Sequence, residues 1–432
     1  MRRIVASIAL LSVTACSSSA VSTMPEQQTP FARLASATPP RGQIDRLFYV
    51  TTISKARMSA GLFGKVVSEL GGPPHCAVKL FGIKYATIGV NGEPANASAA
   101  FLVPQAPCKA PFPLVGYAHG TNPVKEQLIT SPKTTSPTWT APDQDPVVVA
   151  AVFAAHGYAV AATDYLGLGL STYPYHPYLH AASEASAVVD SMRAARNAAA
   201  KLHVRLSKKA FLSGHSQGGQ SSVAAQRAIE AQYGSEFDLL GEAPSSGPYA
   251  LSETFQDSLR RQSQDAPILA AYILPGYQKV YGNIYTDPTQ IFKNPYASHV
   301  GTLLPVATYK DEKKLYGKTL PLQLTQLLQP SFANSFLTDA SSPARKDTAD
   351  NDLLGHWVPK APVYLCGGRR DPEVEFKNAK KAYAYFHARG VNVTLTDVDA
   401  LIPSYVPITD YHVVVALFCL PLARSQFFDA LK

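Results

Sequence analysis

The chain has 432 residues, 46% of them hydrophobic and only 16% charged, with 34 prolines and 22 tyrosines. That is enough apolar material for one large domain, alone or with an insertion, and it excludes a disordered or nucleic-acid-binding chain. The formal net charge of +8 is compatible with an anionic lipid or acidic polymer surface, but solvated charge is the commoner reading and no function is attached to it.

At the N-terminus, Arg2-Arg3, the apolar run Ile4 to Leu11 and then Val13-Thr14-Ala15-Cys16 read as an export signal over residues 1–16. The run is too short to span a bilayer as a stable helix. The last four residues fit a bacterial lipobox, which makes Cys16 an acylated membrane contact. Conventional cleavage after Ala15, giving a released protein, is the competing reading. Residues 17–45 are rich in Ser, Thr, Pro and Gln and read as a flexible tether.

Cys76, Cys108, Cys366 and Cys419 remain, an even set in an exported chain, so disulfides are expected. Three pairings exist. Cys76 with Cys108 and Cys366 with Cys419 is preferred because each pair lies within one end of the chain. No Cys or His spacing suits a metal, and no cofactor is called for.

Phe81 to Ile88 and Ser98 to Val103 alternate around Asn91-Gly92, which predicts an antiparallel hairpin at a sheet edge. Leu114 to Ala118 predicts a buried strand, Pro146 to Ala155 a helix and Tyr158 to Thr163 the next strand. Ala181 to Lys201 predicts a long Ala-rich helix, followed by strands at Ala210 and at Leu239 to Ala243. After a gap come a strand from Val363 to Leu365, a helix from Glu373 to Arg389 and a strand from Val391 to Asp397. Strands alternating with helices predict an α/β fold whose mostly parallel sheet is covered on both faces. From Pro248 to Trp357 the alternation stops, and segments such as Ile268 to Leu274 and Leu322 to Leu328 carry helical spacing. This predicts a largely helical cap over 248–357, between core segments 46–247 and 358–432. A separate domain is the alternative. No repeat and no transmembrane helix are inferred.

Gly214-His215-Ser216-Gln217-Gly218 sits between a strand and a small-residue helix, the setting of a nucleophile elbow. The flanking glycines leave room for the sharp turn that lifts the serine hydroxyl out of the sheet. Together with His119-Gly120 and Asp164-Tyr165-Leu166-Gly167-Leu168-Gly169, this pentapeptide resembles the α/β-hydrolase superfamily. Within it the chain is most similar to the secretory-lipase (lipase A-like) group of bacterial and fungal lipase/esterases, from about Phe81 onward. The resemblance implies an α/β-hydrolase fold with its cap inserted before the strand that carries the catalytic acid.

A serine needs a base, and the base an orienting acid, in the chain order Ser, Asp or Glu, His. His412, in the loop after the last strand and opening an apolar helix, is the expected base. His387 falls in a predicted helix, and His299 and His356 fall in the cap. Asp371 follows a strand and glycines in Cys366-Gly367-Gly368-Arg369-Arg370-Asp371-Pro372-Glu373-Val374, matching the family's Gly-x-x-Asp-x-x-Val pattern. It is the expected acid, and also a helix N-cap with Pro372 at the first helical position. Asp397 and Asp399, and more distantly Asp410, are runners-up. The oxyanion hole is expected from the backbone N–H of Gln217 and of Thr121, with Gly120 as the alternative to Thr121. His119 braces that turn. Tyr173, Tyr175, His176 and Tyr178 follow the Asp164 loop, either as pocket lining or as packing.

The reading that follows is an exported serine carboxylesterase or lipase acting through an acyl-enzyme on an ester, alone or at a lipid or polymer surface. An esterase of feruloyl or acetyl type on cell-wall or plant polymers is the near alternative. A non-catalytic surface-binding lipoprotein with this fold is the alternative from another class.

Overall fold

A computed structural model describes residues 39–130, 144, 146–261, 265–315, 317–355 and 357–432. The predicted export signal, Cys16, most of the tether and His356 lie outside the described residues.

One sheet of nine strands has the order β1-β2-β3-β5-β4-β6-β7-β8-β9. These are β1 (Ile44–Ile53), β2 (Val78–Ile88), β3 (Pro94–Pro104), β4 (Phe112–Ala118), β5 (Ala159–Thr163), β6 (Leu206–His215), β7 (Asp238–Ser245), β8 (Val363–Gly367) and β9 (Val393–Asp397). The first three run antiparallel and join β5 antiparallel; from β5 across to β9 every pair is parallel. The mostly parallel sheet expected from the alternation of strands and helices is thus present. Every residue of β4, β5 and β8 is buried, as parallel strands covered on both faces require.

The Asn91-Gly92 hairpin forms, with Ile88 opposite Pro94 and Gly92 at φ 80°, a left-handed turn position that favours glycine. It is not the edge, however. β1 lies outside it, paired with β2 from Ile44 to Ile53. The tether reading to residue 45 is therefore corrected at its end. Arg41 already docks on the fully buried Asp190, Nε to Oδ2 at 2.9 Å, and Ile44 opens a strand. β1 escaped notice because its burial is only partial along its length, so its sequence carries no clean apolar alternation. Asp190 also takes Arg193 Nη1 at 2.7 Å and Thr87 Oγ1 at 2.6 Å, so the buried carboxylate is fully partnered.

The helix Ala181–Lys201 buries most of its alanines. Its closeness to β4 is fixed at Gly116, where a Cβ would stand 2.5 Å from Met192 Sδ. The C-terminal helical run Ile408–Leu431 is long and apolar enough to cross a membrane, but 61% of its most apolar window is buried within the fold. There Tyr411, Val415, Phe418 and Phe428 join the core beside Tyr117, Phe153 and Phe211.

Between β7 and β8 the chain is helical, as the loss of alternation predicts. Leu251–Arg261, Ala266–Tyr281, Pro330–Thr338 and Pro343–Asp350 are its main helices. They share an apolar core that includes Phe255, Tyr272, Ile273, Phe292 and Phe336, and this core takes in Val124, Tyr178 and Leu179 from the loops after β4 and β5. The predicted helix over Leu322 to Leu328 is reduced to one turn, Leu324–Leu327, and Leu328 bridges to Phe292 instead.

Both disulfides match the expected pairing, Cys76–Cys108 and Cys366–Cys419. The second ties β8 to the helix Ile408–Leu422 and closes a loop of 53 residues. Replacing Cys366 and Cys419 together by Ala is expected to cost about 3 kcal/mol of stability, read as a lower melting temperature of the oxidised protein. A melting point equal to wild type would show that the crosslink contributes nothing to the fold.

Candidate active site

Three of the site's parts sit at the carboxyl ends of neighbouring strands, where open α/β sheets leave a crevice. β6 ends at His215 and the next residue, Ser216, turns the chain into the helix Gln217–Ala228. Ser216 adopts φ 57° and ψ −122°, a strained conformation for a residue with a side chain. It is held by its own N–H, which donates to Ser245 O on β7 at 2.9 Å. The helix behind the turn passes so close to β4 that a Cβ on Gly218 would lie 1.9 Å from Ala118 O, and one on Gly214 would lie 2.2 Å from Gly218 O. No side chain fits at either place, which is the physical reason for the Gly-x-Ser-x-Gly pattern.

His412 Nε2 is 2.8 Å from Ser216 Oγ, and His412 Nδ1 is 2.8 Å from Asp371 Oδ2. The Asp371 side chain is fully buried and that of His412 nearly so. The carboxylate fixes the tautomer: Nδ1–H donates to Asp371, which leaves Nε2 as the acceptor for the serine proton. The other Asp371 oxygen accepts the backbone N–H of Glu373 at 3.0 Å and of Val374 at 3.1 Å. Asp371 is thus held in a turn of its own and is not a helix N-cap, because the helix starts only at Phe376. His412 likewise departs from the expected loop. It is the fifth residue of the helix Ile408–Leu422, so its ring is aimed by a rigid element.

The other histidines and carboxylates considered lie elsewhere. His387 stacks on Tyr383, and His299 packs edge-on against Tyr296 in the insertion. Asp397 pairs with Arg369 at 2.6 Å, and Asp399 pairs with Arg370 at 2.9 Å; both tie the end of β9 to the loop after β8. Asp410 is exposed.

Thr121 and Gln217 line one lobe of the cleft together with Ser216. Gln217 is the first residue of its helix, where backbone N–H groups have no intrahelical partner and the dipole favours negative charge. Its side-chain nitrogen points away from the cleft into two buried partners. Nε2 donates to Glu184 Oε1 at 2.6 Å and to His176 Nε2 at 2.7 Å. His176 Nδ1 lies 2.8 Å from Leu166 O, so Nδ1 carries the proton, and burial pushes its pKa down to about 3, keeping the ring neutral. Burial pushes Glu184 up to about 7 against the hydrogen bonds it receives from Ser221, Gln217 and Leu179. Thr121 Oγ1 meets Tyr178 Oη at 2.7 Å, and Thr121 O accepts from Gln144 Nε2 at 2.8 Å. His119 braces the turn: Nδ1 donates to Gly120 O at 2.6 Å, and burial lowers its pKa to about 4. Of the aromatic residues after the Asp164 loop, Tyr178 reaches the cleft, whereas Tyr173 bonds Glu93 at 2.6 Å and only packs.

The cleft has two lobes that meet at Ser216, Thr121 and Glu373. One, of about 510 Å³, is lined by Leu251, Phe255, Leu269, Ile273 and Val374. The other, of about 730 Å³, carries Gln127, Gln144, Asp265, Glu312 and Tyr272 as well as His412. Sequence reasoning missed Glu184, Asp265 and Glu373, since a lone carboxylate in a helix or loop reads as a solvated charge. Among the described residues no cluster of His, Cys, Asp and Glu could hold a metal ion.

A family model for secretory lipases matches residues 134–286. Among solved structures, the rice cell wall degrading esterase LipA from Xanthomonas oryzae is 37% identical, with a TM-score of 0.81, covering 91% of this chain and 100% of that one. A Legionella pneumophila structure is 23% identical with a TM-score of 0.75, covering 90% and 98%. Candida antarctica lipase A in its closed state is 16% identical with a TM-score of 0.57, covering 83% and 77%. These last two show the fold alone. No curated protein sequence matches significantly.

Gly218→Ala is expected to lose at least about 3 kcal/mol of stability, since the intruding Cβ meets rigid backbone rather than a movable side chain. Gly301→Ala, where a Cβ meets nothing within 4 Å, is the matched control and should melt within a degree or two of wild type. Equal melting of the two variants would contradict the close approach described.

Proposed function

This chain belongs to the secretory-lipase family of α/β-hydrolases and hydrolyses carboxylic esters, and we propose that it does so with Ser216 as nucleophile, His412 as general base and Asp371 as the orienting acid. The observation that carries this reading is the unbroken line from Ser216 Oγ through both His412 nitrogens to a fully buried Asp371 carboxylate, with 2.8 Å at each contact.

In the first half-reaction Ser216 Oγ attacks the ester carbonyl while its proton passes to His412 Nε2. The positive charge that develops on the ring faces Asp371, which stays ionised. The carbonyl oxygen becomes an oxyanion held by the N–H groups of Gln217 and Thr121, each worth about 3 kcal/mol in the transition state. His412 then returns the proton to the leaving alcohol, and an acyl-enzyme remains. Water deprotonated by His412 attacks the acyl carbon, and collapse of the second tetrahedral intermediate releases the acid and restores Ser216. No cofactor takes part. The Glu184 and His176 contacts hold the Gln217 side chain away from the cleft, so that only its main chain faces the substrate. The lobe walled by Leu251, Phe255 and Ile273 suits an acyl chain, and the more polar lobe suits the alcohol portion.

Residues 248–357 act as the cap, since their helices supply Leu251, Phe255, Leu269 and Ile273 to the apolar lobe. The protein is exported, as its family and its two disulfides indicate; attachment through an acylated Cys16 is part of the proposal. A second reading of the substrate is favoured by one observation, the 37% identity over the whole length of an esterase that degrades rice cell wall. On that reading the physiological ester is on a wall polymer rather than in a lipid.

The test uses purified protein and p-nitrophenyl esters from acetyl to palmitoyl. Ser216→Ala is expected to lose about 10⁴-fold or more in kcat, and a fluorophosphonate should label wild type but not the variant. A short-acyl optimum supports the wall-ester reading and a long-acyl optimum the lipase reading. Full activity in Ser216→Ala would remove Ser216 from the mechanism.

A further inference from the structure

Thr121 brings a hydroxyl group to the cleft that none of these steps uses. Its Oγ1 lies 2.7 Å from Tyr178 Oη, and the residue lines both lobes beside Ser216. Tyr178 is buried, and its ring is held in place by stacking on Tyr272, with centroids 4.7 Å apart and planes 7° from parallel. Tyr272, on the insertion helix Ala266–Tyr281, donates from Oη to Asn122 O at 3.1 Å, one residue past Thr121. The same loop is tied to the insertion a second time. Val306 N–H donates to Pro123 O at 2.8 Å, and Lys125 N–H donates to Val306 O at 2.8 Å. The Thr121 side chain therefore stands on a braced segment, against a braced phenol.

Two hydroxyl groups in contact carry two hydrogens and make one hydrogen bond between them, so one hydrogen is left over. Among the described residues neither hydroxyl has a second partner. A buried phenol hydrogen without an acceptor is costly, and Tyr178 is only 3% exposed. Thr121 is half-buried and opens on the cleft. Tyr178 therefore donates to Thr121 Oγ1, and the threonine hydrogen is the one left to face the cleft. Accepting from the phenol also polarises the threonine O–H and makes it a better donor.

We propose that the Thr121 hydroxyl is a third oxyanion donor, beside the N–H groups of Gln217 and of Thr121 itself, with Tyr178 a positioning residue that aims it. The inference rests on the reading of Ser216 as nucleophile. As Ser216 Oγ bonds to the ester carbon, the π pair of the carbonyl moves onto oxygen, and Thr121 Oγ1–H donates to that oxygen. The hydrogen stays on Oγ1 throughout, so no proton is transferred and no other reactant is needed. When the tetrahedral intermediate collapses, the charge leaves the oxygen and the hydrogen bond weakens. An interaction that strengthens only as charge develops acts on kcat rather than on KM. Through Tyr272, which braces both Tyr178 and Asn122, the insertion shapes the catalytic centre as well as the acyl lobe.

The test is the kcat and KM of Thr121→Val, Thr121→Ser and Tyr178→Phe on the preferred p-nitrophenyl ester. Valine keeps the branched shape and the backbone N–H but loses the hydroxyl, so kcat should fall about 100-fold with KM little changed. Serine keeps the hydroxyl and should recover most of that loss. Tyr178→Phe leaves the hydroxyl unaimed and should lower kcat by less than Thr121→Val does. The Thr121→Val/Tyr178→Phe double variant should be no slower than Thr121→Val alone, because the phenol acts only through the threonine. Thr121→Ala is read in the same way as the valine variant if the latter does not fold. A wild-type kcat without the hydroxyl, a loss confined to KM, or a serine variant as slow as the valine one overturns the third donor. A wild-type kcat in Tyr178→Phe overturns the positioning role. Fluorophosphonate labelling of wild type and Ser216→Ala is run alongside. An unlabelled wild type is a failure of the nucleophile reading, whereas a labelled wild type with an unimpaired Thr121→Val is a failure of this proposal alone.

Discussion

The constraint on which the rest depends is the approach of the helix Gln217–Ala228 to the end of β4. Gly218 lies so close to Ala118 O that no side chain fits between them, and the turn that makes this approach forces Ser216 to φ 57°. Strain of that kind costs on the order of 1–3 kcal/mol and persists only where the surroundings over-determine it. Here they do, through the bond from Ser216 N–H to Ser245 O and the buried strands on either side. The same geometry exposes the hydroxyl, turns the first helical N–H groups toward it and brings the loop after β4 to the opposite side of the cleft.

Around that turn, rigidity comes from different sources on each side. Asp371 is held by two backbone N–H groups. His412 is carried on a helix whose apolar face joins the main core, and that helix is bonded to β8 through Cys366–Cys419. Behind Gln217, neutral His176 and the buried Glu184 fix a side chain that would otherwise reach into the substrate space. The contacts of Asp371, His176 and Glu184 are hydrogen bonds made by buried groups, the condition under which polar groups specify one geometry rather than loosen it.

The cleft is asymmetric in chemistry. The insertion supplies apolar walls to one lobe and Asp265 and Glu312 to the other, so the same stretch of chain lines both lobes with opposite chemistry. Burial raises Glu312 to about 7 and Glu373 to about 8. Acidic side chains that hold protons near neutrality are otherwise rare, and here both line the lobe that carries His412.

Much of this was legible in the sequence because it depends on local rules. Gly214-His215-Ser216-Gln217-Gly218 announces its turn through steric need. The alternation of strands and helices announces the sheet, and the loss of alternation after Pro248 announces the helical insertion. The order Ser216, Asp371, His412 is the one that the resemblance to α/β-hydrolases implies. Legibility failed where a residue's role is set by what lies across space. β1 is half-exposed and carries no alternating pattern. Asp371 looks like a helix cap, yet Phe376 opens the helix because the Asp371 oxygens are taken by His412 and by the turn at Glu373 and Val374. His412 looks like a loop residue because Pro407 and Asp410 precede it, yet the apolar run that follows extends the helix backward past it. Asp265 and Glu373 are 108 positions apart in the chain, and nothing in either neighbourhood marks them. Backbone sterics and periodicity are local and therefore readable from the sequence, whereas burial, desolvation and the meeting of distant side chains arise only when the insertion folds over the ends of the strands.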